Sequence, residues 1–282
     1  MTSASTPAVH VQGLAKAYGQ TPAVHDLDLD VAYGEIFAIL GPNGAGKSTI
    51  IEILEGHRKR DRGRVSVLGQ DPGSAGREWR DRIGIVLQEV SDAGMLTVHE
   101  TVQMFSSCYR TPRTPGEVLD LVGLGALSGS RVRTLSGGQR RRLDVALGIV
   151  GKPELLFLDE PTTGFDPEAR RHFWELIRLL AADGTTILLT THYLEEAAAL
   201  ADRVAVIADG KVVAVDSPTR LTEHVNSAAT VRWVEDGEVH EEITHYPTAL
   251  INKRSGDGRE LAGLTVFRPS LEDAYLHLIG AA

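Results

Sequence analysis

Gly41-Pro42-Asn43-Gly44-Ala45-Gly46-Lys47-Ser48 matches the P-loop pattern, and Thr49 follows it. Glycines in such a run let backbone N–H groups turn inward around a phosphate. The N-terminus of a following helix adds partial positive charge. Lys47 supplies a full charge for the β- and γ-phosphates, and Ser48 offers a hydroxyl to Mg²⁺. A second constellation, Leu155-Leu156-Phe157-Leu158-Asp159-Glu160, is an apolar run ending in two carboxylates. Carboxylates at the C-terminal end of a buried strand lie where ligands bind in open α/β sheets. Asp159 is placed to hold Mg²⁺ through water, and Glu160 to orient or deprotonate an attacking water. Two adjacent acids point to hydrolysis rather than binding alone.

Leu135-Ser136-Gly137-Gly138-Gln139 opens a helical run through Val150. Ser136 and Gln139 fit a capping box, which is a structural explanation for both. It does not explain Gly137 and Gly138 in a first helical turn, where glycine costs about 1 kcal/mol relative to alanine. Two glycines bare the backbone N–H groups to an anion. The chain thus carries two phosphate-binding helix ends and one P-loop. Arg140-Arg141-Arg142 step about 100° around that helix, so they read as a solvated collar rather than a single basic face.

These residues need rigid elements to hold them. Val9–Val11 and Val24–Val31 alternate apolar and polar, the period of half-buried strands. Glu35–Leu40, Ile83–Leu87, Leu155–Leu158, Thr186–Leu189 and Val204–Ile207 are near-continuous apolar runs, as in strands covered on both faces. Helical patterns lie between several of them, beginning with Ser48–Glu55. The alternation predicts an α/β fold with a mainly parallel central sheet. Thr97–Val150 reads as a helical insertion, broken at Thr111–Gly116 and Gly123–Ser130, with Gly151 and Pro153 ending its last helix. Asp209-Gly210 and Asp236-Gly237 predict hairpin turns. Asn252–Gly258 reads as a loop, and Ser270–Ile279 as a terminal helix. Residues 1–217 form the expected main domain and 218–282 a small C-terminal β/α appendage.

Composition narrows the functions. Lys and Arg number 29 against 38 Asp and Glu, a net charge of −9, so overall charge does not favour nucleic acid as a partner. Cys108 stands alone and implies no oxidising compartment. No run approaches the roughly 20 apolar residues of a membrane span, and Met1–Ala8 lacks the features of a signal peptide. A cytoplasmic chain is expected, with any membrane part on another polypeptide.

Taken in order, the motifs resemble those of the ATP-binding cassette (ABC) ATPases over roughly Val9 to Ser217. Leu135–Gln139 resembles that family's signature motif. The resemblance implies a P-loop ATPase core with an antiparallel β subdomain and a helical subdomain at about 97–150. It implies a homodimer in which each ATP lies between one P-loop and the partner's Ser136, Gly137, Gly138 and Gln139. Tyr18 matches the aromatic residue that stacks on adenine, with Val24 nearby. Gln88 matches the Q-loop glutamine that meets Mg²⁺ and water. Asp159 and Glu160 match the Walker B acids, Asp166 the D-loop aspartate, and His192 the switch histidine near the γ-phosphate. The D-loop reads Gly164-Phe165 where a Ser-Ala-Leu-like form is commoner, so its contacts across a dimer are left open.

The resemblance implies ATP and Mg²⁺ as cofactors. Two functions fit: the energy subunit of a transporter, or a mechanical ATPase acting on nucleic acid or ribosomes. One cassette, no sustained heptads and the acidic balance favour the first. Asp159–Pro167 and Ser270–Leu276 further resemble daunorubicin-resistance-type export ATPases that pair with a separate ABC-2 type permease. That implies a peripheral protein at the cytoplasmic face of the membrane, powering export of a drug, lipid or other hydrophobic compound. Val90, Met95, Leu96, Val98 and Val102 lie where the family receives the permease. They are open to two readings, core or partner contact.

Overall fold

The computed structural model describes residues 6–86, 94–224, 228–235, 237–256 and 260–280. The chain divides into two compact units, Met1–Val215 and Asp216–Ala282. In chain order the first unit contains β1 (Val9–Tyr18), β2 (Thr21–Val31), β3 (Ile36–Leu40), α1 (Lys47–Leu54), β4 (Arg62–Val67), α2 (Arg77–Arg80), β5 (Ile83–Val86) and α3 (Val98–Ser106). It continues with α4 (Pro115–Leu121), α5 (Gly137–Ile149), β6 (Leu155–Asp159), α6 (Pro167–Ala182), β7 (Thr186–Thr191), α7 (Leu194–Leu200), β8 (Arg203–Ala208) and β9 (Lys211–Asp216), which ends at the boundary.

Six strands form the central sheet in the order β5-β6-β7-β3-β8-β9. The pairs β5–β6, β6–β7, β7–β3 and β3–β8 are all parallel. Every residue of β3 and β7 is buried, which accounts for the unbroken apolar sequence of β3 and for Ile187-Leu188-Leu189 at the middle of β7. The Asp209-Gly210 turn has φ of 47° and 71°, the left-handed geometry expected of a two-residue hairpin, and it returns the chain as edge strand β9.

A second sheet, β2-β1-β4, is antiparallel throughout. Its buried face and one face of the central sheet share a core around α1. Leu14, Phe37, Ile50, Ile53, Phe157 and Leu188 are each at most 1% exposed there. Burying side chains of this size stabilises the fold by about 1.5–3 kcal/mol apiece. The P-loop helix is therefore locked between two sheets.

Helices α3, α4 and α5 form the helical segment. Each opens on a reciprocal capping box: Thr97 with Glu100, Thr114 with Glu117, and Ser136 with Gln139. Val98 and Val102 are fully buried and belong to the core, whereas Met95 is 70% exposed and Leu96 is half-buried. Val90 lies outside the described residues.

The second unit contains α8 (Pro218–His224), β10 (Ala229–Glu235), β11 (Glu238–Thr244), α9 (Pro247–Ser255), β12 (Ala262–Phe267) and α10 (Leu271–Gly280). Its sheet runs β11-β10-β12, antiparallel, and β10 pairs with β11 around Gly237. Asp236 of that turn lies outside the described residues. The loop expected over Asn252–Gly258 is corrected: α9 continues through Ser255. Leu250 and Ile251 pack on Val231 and Trp233, and Arg254 lies over the Trp233 ring and pairs with Glu242 at 3.0 Å. Packing thus extends the helix into a polar sequence.

Candidate functional site

The loop between β3 and α1 returns sharply on itself. Gly46 has φ of +97°, and a Cβ there would stand 2.4 Å from the Ala23 carbonyl oxygen, so only glycine fits. A cleft of about 500 Å³ opens above this loop, lined by Asn43, Gly44, Gly46, Lys47, Ser48 and Thr49 together with Tyr18, Ala23 and Glu160. The structure thus gathers the phosphate loop, Tyr18 and one carboxylate around one space. Tyr18 is 44% exposed, and its hydroxyl lies 3.3 Å from Thr49 Oγ1. The Arg58 guanidinium lies 5.1 Å from the centre of its ring, near enough for a cation–π contact.

Two expectations are refined here. Val24 is buried in the core at 1% exposure, and Ala23 takes the cleft position instead, because neighbouring strand residues point to opposite faces. Ala45 is also packed in the core, and its N–H donates to Pro42 O at 3.2 Å within the loop. Lys47 is 6% exposed, and its Nζ donates to Gly41 O at 2.8 Å and Pro42 O at 3.1 Å. Burial lowers its pKa, while Glu160 and Asp159 act in the opposite direction.

Asp159 ends β6, and Glu160 follows in the left-handed region at φ of +43°, a costly conformation for a non-glycine residue. Thr190 at the end of β7 secures both. Its hydroxyl donates to Asp159 Oδ1, and its carbonyl and hydroxyl oxygens each accept from the Glu160 N–H at 3.1 Å. His192 Nδ1 lies 3.3 Å from Glu160 Oε1, so the histidine and the acid adjoin. Asp166 N-caps α6, accepting from Ala169 N at 2.8 Å. Gln88 lies outside the described residues.

Ser136, Gly137, Gly138 and Gln139 do not line the cleft. Ser136 Oγ accepts from Gln139 N at 3.3 Å, and Gln139 Oε1 from Ser136 N at 3.0 Å. A Cβ at Gly137 or Gly138 would meet nothing within 4 Å, and neither residue has positive φ. The fold therefore does not require glycine there. The reading of Arg140–Arg142 as a solvated collar is corrected at Arg141, which is 7% exposed and donates to the carbonyls of Asp159 and Pro161.

Thr190, Arg141 and Ala23 were not evident from sequence. Thr190 stands two residues before His192 at a strand's C-terminal end, the position where α/β sheets bind ligands. Arg141 continues the buried stripe of Val145, Gly148 and Ile149 back by one helical turn, a spacing that could have marked it.

A buried parallel strand, a phosphate loop closing on a helix, and an adjacent strand ending in paired carboxylates define a P-loop nucleoside-triphosphatase. The family model described as ABC transporter matches residues 24–163. The chain is 37% identical to the daunorubicin resistance ATP-binding protein DrrA2 of Streptomyces coeruleorubidus, over 97% of this chain and 95% of that one. It is 38% identical to the Nod factor export ATP-binding protein I of Rhizobium sp. (strain N33), over 98% of each chain. A solved dimeric ATP-binding cassette in a post-hydrolysis state, bound to ADP and Pi, superimposes with a TM-score of 0.67. It is 25% identical and covers 74% of this chain and 98% of its own. The chain belongs to the ABC transporter family, among its ATP-binding, ATP-hydrolysing subunits. The alternative of a mechanical ATPase on nucleic acid or ribosomes is not favoured by relatives named for resistance and export.

Proposed function

We propose that this subunit powers export through a separate ABC-2 type permease, with a drug, lipid or other hydrophobic compound as cargo, at the cytoplasmic face of the membrane. The relatives' names support the direction and the kind of cargo. Two copies face each other, and each ATP lies between one copy's phosphate loop and the other's Ser136–Gln139. The glycines that the fold does not need, on a helix end outside its own cleft, support this arrangement.

Tyr18 stacks on adenine. Lys47 places its charge at the β- and γ-phosphates, and the loop N–H groups hold their oxygens. Glu160 takes a proton from water as the water oxygen attacks the γ-phosphorus. The bond to the bridging oxygen breaks, leaving ADP and phosphate. His192 keeps Glu160 directed and reaches toward the γ-phosphate, and Gln88 belongs beside the attacking water. Ser48 and Asp159 would hold Mg²⁺, with Gln88 beside them. Hard oxygen donors suit that ion, which takes one or two protein oxygens and leaves the rest to phosphate and water. Mg²⁺, when bound, neutralises phosphate charge. Loss of the γ-phosphate link then opens the dimer and moves the partner.

The observation that carries this reading is Glu160 lining the same cleft as Lys47, Ser48 and Thr49. Glu160→Gln is expected to retain ATP binding and lose about 100-fold or more of turnover. It should accumulate as an ATP-dependent dimer in light scattering. Turnover at the unaltered rate would remove Glu160 from this role.

A further inference from the structure

The carbonyl groups on either side of Glu160 share a single buried cation. Arg141 Nε donates to Pro161 O at 3.0 Å, and its Nη2 donates to Asp159 O at 2.8 Å. From the other side, Thr190 accepts from the Glu160 N–H. The left-handed backbone of Glu160 is thus gripped by β7 through its N–H and by α5 through its flanking carbonyls. Charged donors to carbonyls away from water make strong, directional hydrogen bonds.

The element bearing Arg141 is itself fixed. A Cβ at Gly84 of β5 would lie 2.2 Å from Gly148 O, so α5 rests directly on the sheet edge. The first turn of α5 carries Gly137 and Gly138, and Arg141 stands one turn further along the same helix. Burial lowers the pKa of Arg141, with Asp144, Asp159 and Glu196 acting in the opposite direction.

We propose that Arg141 is a positioning residue for ATP hydrolysis: by bridging the carbonyls of Asp159 and Pro161 it sets the direction of the Glu160 carboxylate, and it ties that direction to the seating of the first turn of α5. The proposal rests on Glu160 being the residue that acts on water. An ATP held by the partner and seated on Gly137 and Gly138 then bears, through one helical turn, on the acid that serves this copy's own ATP.

The test compares Arg141→Met, Arg141→Lys and Glu160→Gln in the full chain. Turnover is expressed per nucleotide site titrated with a fluorescent ATP analogue, so that unfolded protein does not count. Arg141→Met is expected to lower kcat per site by about 10- to 100-fold, with the KM for ATP changing less than about two-fold. Arg141→Lys, which keeps the charge and can reach a carbonyl, should recover part of that loss. An unchanged kcat per site in Arg141→Met, with Glu160→Gln inactive, overturns the proposal while sparing the role of Glu160. So does a raised KM with kcat per site intact, which would assign Arg141 to nucleotide binding. Normal turnover in Glu160→Gln overturns the underlying reading, and the proposal with it.

Discussion

Glu55 caps the C-terminal end of α1, the helix whose other end is the phosphate loop, and only 4% of it is exposed. Burial pushes its pKa from the usual 4.5 up to about 8, with Asp159 and Glu52 adding repulsion. His57 Nδ1 lies 3.2 Å from its Oε2. The folded chain therefore binds this proton more tightly than the unfolded chain does. Stability from it is full at low pH and falls as pH rises from about 4.5 toward 8. Glu55→Gln removes that loss. The variant's Tm should gain on the unaltered protein between pH 5 and pH 9, by the equivalent of about 1–3 kcal/mol. A difference in Tm that stays flat across that range would show that Glu55 does not hold the proton. At this scale the sequence reveals residues whose chemistry demands a type at a spacing, such as Lys47, Ser48, Asp159 and His192. It conceals Thr190 and Arg141, which act on backbone atoms of residues 18 to 30 positions away. A backbone carbonyl needing a donor leaves no letter in the chain.

Helix α5 makes the element scale concrete, because its position depends on a contact with no side chain in it. The Gly84 Cα faces Gly148 O, and an added Cβ would also meet Leu156 Cδ1 at 2.9 Å and Pro153 Cγ at 3.0 Å. Gly84→Ala should lift α5 from β5 and cost about 1–3 kcal/mol, the usual penalty of overpacking. That is a Tm lower by several degrees. Because Arg141 travels with the helix, turnover per nucleotide site should fall while ATP binding holds. An unchanged Tm in differential scanning calorimetry would mean that the two backbones are not in contact. Elements buried on both faces, such as β3 and β6, were legible because their sequences cannot afford polar residues. Strand β4 was not, since Arg62, Gly63 and Arg64 are exposed and only Val65 and Val67 are buried. Its pairing with β1, not its own pattern, makes it a strand. Helix α9 occupies the first part of the loop expected over Asn252–Gly258 for the same reason, with Arg254 held by Trp233 and Glu242.

At the scale of the whole molecule, coupling to a membrane needs a protein contact. Among the described residues no helix is long and apolar enough to cross a bilayer. The segment around α3 supplies exposed apolar surface: Met95 is 70% exposed and Met104 is 49% exposed, while their neighbours Val98 and Val102 are spent on the core. Methionine is flexible and polarisable, well suited to a docking interface. The second unit offers a different apolar face. Ile243 and Phe267 both pair with Thr230, so they share one side of the β10–β12 sheet, at 69% and 54% exposure. These two surfaces can be separated by experiment. Met95→Asp combined with Met104→Asp should reduce recovery of the membrane partner by about 10-fold or more, since each charge strands apolar partner surface worth about 1–2 kcal/mol. The ATPase activity of the isolated chain should not change. Ile243→Asp combined with Phe267→Asp should leave recovery of the partner intact. The reverse pattern in co-purification from detergent-solubilised membranes would move the docking surface to the second unit and return Met95 and Met104 to ordinary exposed side chains.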